Sequence, residues 1–178
     1  MTRLRSRPGV AGRFWRARDG ATALEFAILA APFIMLLVAC FELALVMVCT
    51  VSMDMATAKV SREIRTGIVT SGNSSVTTFR TQLCAQMTWL PDCSSKLKVD
   101  VRTFNDFNLV TQATDPIKDG AFDDSQIAYT IGTGSKIQLV RVYYPWKIMS
   151  PFLAPGFRSL STGEVVVESQ AVFKNEPF

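Results

Sequence analysis

Arg18-Asp19-Gly20-Ala21-Thr22-Ala23-Leu24-Glu25-Phe26 opens the stretch whose reading decides the fold. A basic head meets a glycine, four small or apolar residues and one carboxylate, and a long apolar segment follows. Phe26–Phe41 carries no charge, Leu43–Met53 carries none, and only Glu42 separates them. A helix rises about 1.5 Å per residue, and a bilayer crossing needs about 20 apolar residues. Phe26–Met53 exceeds that length, so as one helix it spans with some to spare. Glu25 is odd in an ordinary anchor, because a carboxylate in hydrocarbon costs roughly 2.5–3.5 kcal/mol on insertion scales. A partner for the charge would explain it, and a freed α-amine on a neighbouring subunit is such a partner.

The 178 residues, 48% of them hydrophobic, suit one membrane helix and one small domain. The net charge of +4 belongs to the head. Residues 1–20 hold six arginines against Asp19, and the remainder has 13 basic and 14 acidic residues. Arginines ahead of an apolar run place that end in the cytoplasm. They are not interleaved with stacking aromatics along a folded face, so a nucleic-acid partner is not expected. A secretory signal has a short apolar region of about 7–15 residues followed by its cleavage site. Here the run is longer, and the candidate cut precedes it.

Gly20-Ala21-Thr22-Ala23-Leu24-Glu25-Phe26 resembles the cleavage motif of type IV-like prepilins, in which a membrane aspartyl peptidase cuts after the glycine. Glu25 then falls at the fifth mature position. The wider pattern resembles the TadE-like pseudopilins of tight-adherence (Flp) pilus systems. Pro32 in the apolar run, Phe41-Glu42, Ala58 through Gly67, the pair Cys84 and Cys93, and the ending Phe173-Lys174-Asn175-Glu176-Pro177-Phe178 all fit that likeness. Flp pilins usually carry Tyr where Phe26 stands, which favours a pseudopilin over the major pilin. The resemblance implies Gly20, Ala21, Glu25 and Phe26 as processing residues, and Glu25, Pro32 and Glu42 as assembly residues. It also implies, as partners, other pilin-like subunits, a prepilin peptidase, the inner-membrane assembly platform and membrane lipid. Pro32 reads either as a tolerated membrane proline or as a weak point that lets the helix adapt in a filament. Glu42 follows Ala21 by about 31 Å along a straight helix. That is near the outer edge of the bilayer, where its charge is expected to reach water.

Along the chain, residues 1–20 read as a removable leader and 21–66 as one membrane and stem helix. Residues 67–178 read as a periplasmic α+β domain. Met53, Ala56, Val60 and Ile64 recur at helical spacing, and Gly67 is the expected C-cap. Asn73-Ser74-Ser75 reads as linker chemistry rather than a glycosylation site, ending in an N-cap. Val76, Phe79, Leu83 and Met87 then predict a short helix. Lys96–Phe104 alternates as a half-buried strand, with Leu97, Val99 and Val101 inward and Lys98, Asp100 and Arg102 outward. Asn105–Ser135 reads as a long loop, with a short strand at Ile127–Ile131. Lys136–Tyr144 is a strand ended by Pro145, and Gly163–Lys174 is another. The fold expected is α+β and pilin-like: a long N-terminal transmembrane helix continuing as a stem, then a small antiparallel sheet.

Cys84 and Cys93, placed beyond the membrane in an oxidising compartment, are expected to pair, with a stabilisation of roughly 2–3 kcal/mol. Cys40 and Cys49, out of phase on the helix, read as small buried hydrophobes. Tyr143, Tyr144, Trp146, Phe152 and Phe157 read as core anchoring, with a contact surface as the sharper alternative.

The chain has no histidine, which removes Ser-His-Asp and Cys-His catalysis and imidazole metal ligands. No phosphate loop or dinucleotide fingerprint is present. Asp119, Asp123 and Asp124 lack the ligand periodicity of a calcium loop. Glu164 and Glu168 read as surface charges. No catalytic residue, metal or cofactor is expected. The reading is therefore a minor pilin-like subunit that initiates, tips or assists pilus assembly, cut after Gly20. The alternative is an uncleaved, membrane-anchored periplasmic adhesin or ligand-binding module.

Overall fold

The computed structural model describes residues 20–150, 153–157 and 160–178. The arginine-rich head and Phe152 lie outside them. Helix α1 runs through Ala21–Arg65 without interruption at Pro32. Among the described residues it is the one helix long and apolar enough to cross a membrane.

From Glu42 onward α1 is two-faced. Val46, Cys49, Met53, Ala56, Val60 and Ile64 are buried, recurring every three or four residues, so they form one stripe against the domain. Met47, Val48, Val51 and Met55 are exposed on the other faces. The stripe expected from Met53 onward therefore starts two turns earlier, and Leu43–Met53 is partly domain core. Cys49 lies on the stripe. Cys40, half a turn out of phase, is exposed in the structure, so of the two thiols expected as small buried hydrophobes only Cys49 packs against the domain. The helix ends where expected. Gly67 takes φ +76° and its N–H bonds the Ile64 carbonyl at 3.1 Å.

Asn73 closes the following turn with both ends of its side chain, on the Thr70 N–H and the Ile68 carbonyl. Ser75 caps α2 (Val76–Gln86) through the Thr78 N–H, and Phe79 and Leu83 bury beneath it. Cys84 of α2 is disulfide-bonded to Cys93. Cys93 begins α3, the short turn Cys93–Lys96, and that turn delays β1 to Lys98–Phe104.

Strands β1, β4 (Ile137–Lys147) and β5 (Glu164–Lys174) form one antiparallel sheet in the order β1-β4-β5. Val99 and Val101 face the helices, with Val140, Val142, Tyr144 and Val167 beside them in the main core. Pro145 does not end β4 but pairs with Val166 inside it. The register of β1 stops at Tyr143, so β4 is an edge beyond that point, and a proline is tolerated on an edge. A long helix packed on this small sheet is the pilin-like α+β arrangement expected.

The segment Asn105–Ser135 departs most from expectation. It carries a 3-10 turn at Phe107–Gln112, a hairpin of β2 (Ile117–Lys118) and β3 (Ala121–Phe122), and another 3-10 turn at Asp124–Gln126. No strand forms at Ile127–Ile131. A single parallel bridge joins Tyr129 to Val101. The hairpin covers the sheet's second face, where Ile117 and Phe122 pack on Tyr143, Leu160 and Val166. Alternation along β4 thus sends Tyr143 to one core and Tyr144 to the other. Trp146 and Phe157 pack at the margin of the main core.

The C-terminal residues strap the domain shut. Asn175 is buried and donates to the carbonyls of Gly132 and Thr133. The Glu176 N–H bonds the Arg65 carbonyl at 2.9 Å, and Phe178 lies over Gly67.

Candidate functional site

The residues assigned to processing and assembly fall in two environments. Gly20 is the last residue before α1, and its carbonyl accepts from the Leu24 N–H at 3.0 Å, the first bond of the helix. Its φ lies outside the left-handed region, and a Cβ added there would meet nothing within 4 Å. Among the described residues, neither backbone conformation nor packing asks for glycine here. Ala21, Glu25 and Phe26 are exposed in the first turns, Phe26 at 74%. Among the described residues no hydrogen bond or ion pair reaches the Glu25 carboxylate.

Glu42 is 1% exposed. One carboxylate oxygen accepts from the Met149 N–H, and the other accepts from the Ser150 N–H at 2.8 Å. Charge-assisted bonds of this kind are about twice as strong as neutral ones. The expectation that this charge reaches water is overturned. Glu42 stands four positions before Val46 and seven before Cys49, so helical phase turns it onto the buried stripe. That spacing was visible in the sequence. Its bonding partners, far along the chain in the turn after β4, were not.

A second buried charge was also misplaced by pattern. Asp100 is fully buried rather than outward-facing. Arg141 Nε and Arg102 Nε each reach its carboxylate at 3.0 Å, and the Ala128 N–H donates to it at 2.8 Å. Arg141 also donates to the Thr114 carbonyl at 2.7 Å, and Arg102 to that of Gln126. The cluster ties the 113–128 segment to the sheet, which is how the outward face of β1 becomes an inner one.

The remaining candidates are engaged locally. Asp123 caps the Ser125 N–H and also accepts from the Ser125 hydroxyl, and the hydroxyl bond is the main cause that lowers its pKa. Asp124 pairs with Lys98 at 2.8 Å. The groove of about 360 Å³ lined by Arg80, Lys98, Asp124 and Tyr129 thus has one cation already paired. Tyr144 is buried and donates to the Pro91 carbonyl at 2.6 Å, and burial pushes its pKa up to about 12. Among the described residues no three acidic or cysteine side chains converge as a metal site requires.

Residues 20–62 match the model of the TadE-like protein family, so the family read from the motif and the apolar run stands over that segment. The match begins at the glycine and ends inside α1. No curated protein and no solved structure matches the chain.

Proposed function

We propose that this chain is a minor pilin-like subunit of a tight-adherence pilus, one that initiates, tips or assists filament assembly. A prepilin peptidase cuts it between Gly20 and Ala21. The first part of α1 anchors it in the bacterial inner membrane, with the head in the cytoplasm and residues 67–178 in the periplasm. Its partners are other pilin-like subunits, the inner-membrane assembly platform and lipid.

The observation that carries this reading is a pair of residues whose identities the fold leaves unexplained. Among the described residues, Gly20 is required neither by φ nor by packing, and Glu25 is exposed without an intrachain partner. Both sit at the start of a helix that matches TadE-like proteins. A peptidase needing bare backbone accounts for the first. Cleavage then leaves a cationic amine on Ala21, and Glu25 lies about one turn further along. Pairing of Glu25 with the amine of an adjacent subunit offsets two desolvation costs and fixes axial register. Phe26 supplies an apolar ring beside that pair. Pro32, by lacking an N–H, leaves one backbone bond unmade, where the helix can adjust on entering a filament. Glu42 serves assembly indirectly, through its own domain.

The mass of the mature protein tests the reading. It is expected to begin at Ala21, and Gly20→Leu is expected to remain uncut. Retention of Met1 in cells with an active prepilin peptidase refutes it.

A further inference from the structure

We infer that the loop residues Ile148–Ser150 and Leu153–Phe157, between β4 and β5, contact the membrane and seat apolar side chains among the outer lipid headgroups. The inference rests on reading α1 as membrane-spanning. Its first support is location. Glu42 binds the amides of Met149 and Ser150, so the loop lies beside residue 42 of the helix. As a helix, Ala21–Phe41 rises about 31 Å, which matches a hydrocarbon core of about 30 Å. The loop therefore stands where the apolar span runs out. A span extended toward Met53 would only draw the loop deeper.

The second support is chemistry. Met149 is 68% exposed, Pro155 is exposed, and Ile148 and Leu153 are half-buried. Lys147 is exposed beside them, and no acidic residue occurs from Lys147 to Gly163. Apolar side chains flanked by a cation suit a surface of acyl chains beneath phosphates.

The third support is the backbone. Irregular chain enters a bilayer only where its polar groups are satisfied internally. The amides of Met149 and Ser150 end on Glu42, that of Leu153 on the Ser150 carbonyl at 2.9 Å, and that of Gly156 on the Leu153 carbonyl at 3.1 Å. Glu42 thereby has a task a hydrophobic residue could not perform, accepting two successive N–H groups where water is scarce.

Photo-crosslinking of the full chain in lipid nanodiscs tests this. A benzophenone amino acid is placed at Met149, at Leu36 within the span, or at Phe107. Phe107 follows Phe104, which pairs with Ile137 at the end of β4 opposite Lys147. Phospholipid adducts are expected at positions 36 and 149, several-fold above position 107. Adducts at 36 but only background at 149 overturn the loop inference and leave the span intact. Background at 36 overturns the span itself, and the inference with it. Crosslinks from 149 to protein rather than lipid in native membranes show a subunit interface instead and overturn the lipid assignment. Glu42→Gln, which removes one of the two acceptor oxygens, is expected to lower adducts at 149 several-fold and leave position 36 unchanged. No change at 149 overturns the tethering role of Glu42.

Discussion

Glu25 and Glu42 are carboxylates of the same helix, and their circumstances are opposite. Glu25 is exposed and has no partner among the described residues, whereas Glu42 is buried and bonded through both oxygens to its own domain. The glycines divide in the same way. Among the described residues, Gly20 has no left-handed φ and nothing within 4 Å of an added Cβ. Gly67 has φ +76° and the Phe178 ring 2.7 Å from where a Cβ would stand. Residues that the fold uses are accounted for by the fold. Gly20 and Glu25 are not, and that is why another molecule is the natural place to look for their purpose.

The largest expected effect breaks this comparison directly. Glu25→Ala is expected to reduce assembly with partner subunits to background, while cleavage after Gly20 continues and the Cys84–Cys93 disulfide still forms. Co-purification with partner subunits, read beside the mature mass, checks it. Normal assembly of the variant would show that Glu25 serves nothing beyond processing.

Next comes the most deeply committed carboxylate. Asp100→Ala strands the Arg141 guanidinium, whose side chain is 8% exposed. Removing one partner of a buried pair costs about 3–5 kcal/mol. Denaturant unfolding of the full chain in detergent, followed by tryptophan fluorescence, reads the loss. Replacing both residues, Asp100→Leu with Arg141→Met, is expected to recover only part of it, because the buried Arg141 charge is gone but Arg102, 18% exposed, still loses its carboxylate partner. Assembly defects in Asp100→Ala should track lost stability, unlike those of Glu25→Ala.

These two carboxylates also show what could be read in advance. Helix α1, helix α2 and strands β1, β4 and β5 were legible because their apolar residues recur at periods of about 3.6 or 2. The disulfide was legible from compartment and cysteine number. Asp100 was not, since alternation along β1 marks it as outward, and only the 113–128 segment, which carries a hairpin of very short strands, turns that face into an interior. Strands so short leave no period to detect. Arg141, its partner, lies on another strand far along the chain. Glu42 was half legible: its phase with Val46, Cys49 and Met53 puts it on the buried stripe, whereas a lone carboxylate at the end of an apolar span ordinarily reaches water.

Glu42→Ala should fall below Asp100→Ala in effect. It leaves the amides of Met149 and Ser150 without their acceptor, at a cost of about 1–3 kcal/mol for a buried unsatisfied group. The loss is smaller because no opposite charge is stranded. Unfolding under the same conditions checks the order. A larger loss than that of Asp100→Ala would mean that Glu42 holds more of the domain than the two amides.

The smallest effect sharpens the comparison at the glycines. Gly67→Ala puts a Cβ on a left-handed residue, which costs about 1–2 kcal/mol. It also drives that Cβ into the Phe178 ring, 2.7 Å away at Cγ, so the C-terminal strap must shift. Gly20→Ala meets nothing and needs no unusual φ, so its stability should stay within about 0.5 kcal/mol of the parent. Phe178→Ala separates the two contributions at position 67. In that background the ring contact is gone, and Gly67→Ala should cost only the backbone part. If Gly20→Ala is as destabilising as Gly67→Ala, then Gly20 is a structural residue after all. Its identity would then need no peptidase to explain it, and the division between residues the fold uses and residues it leaves would lose one of its two members at the N-terminal end.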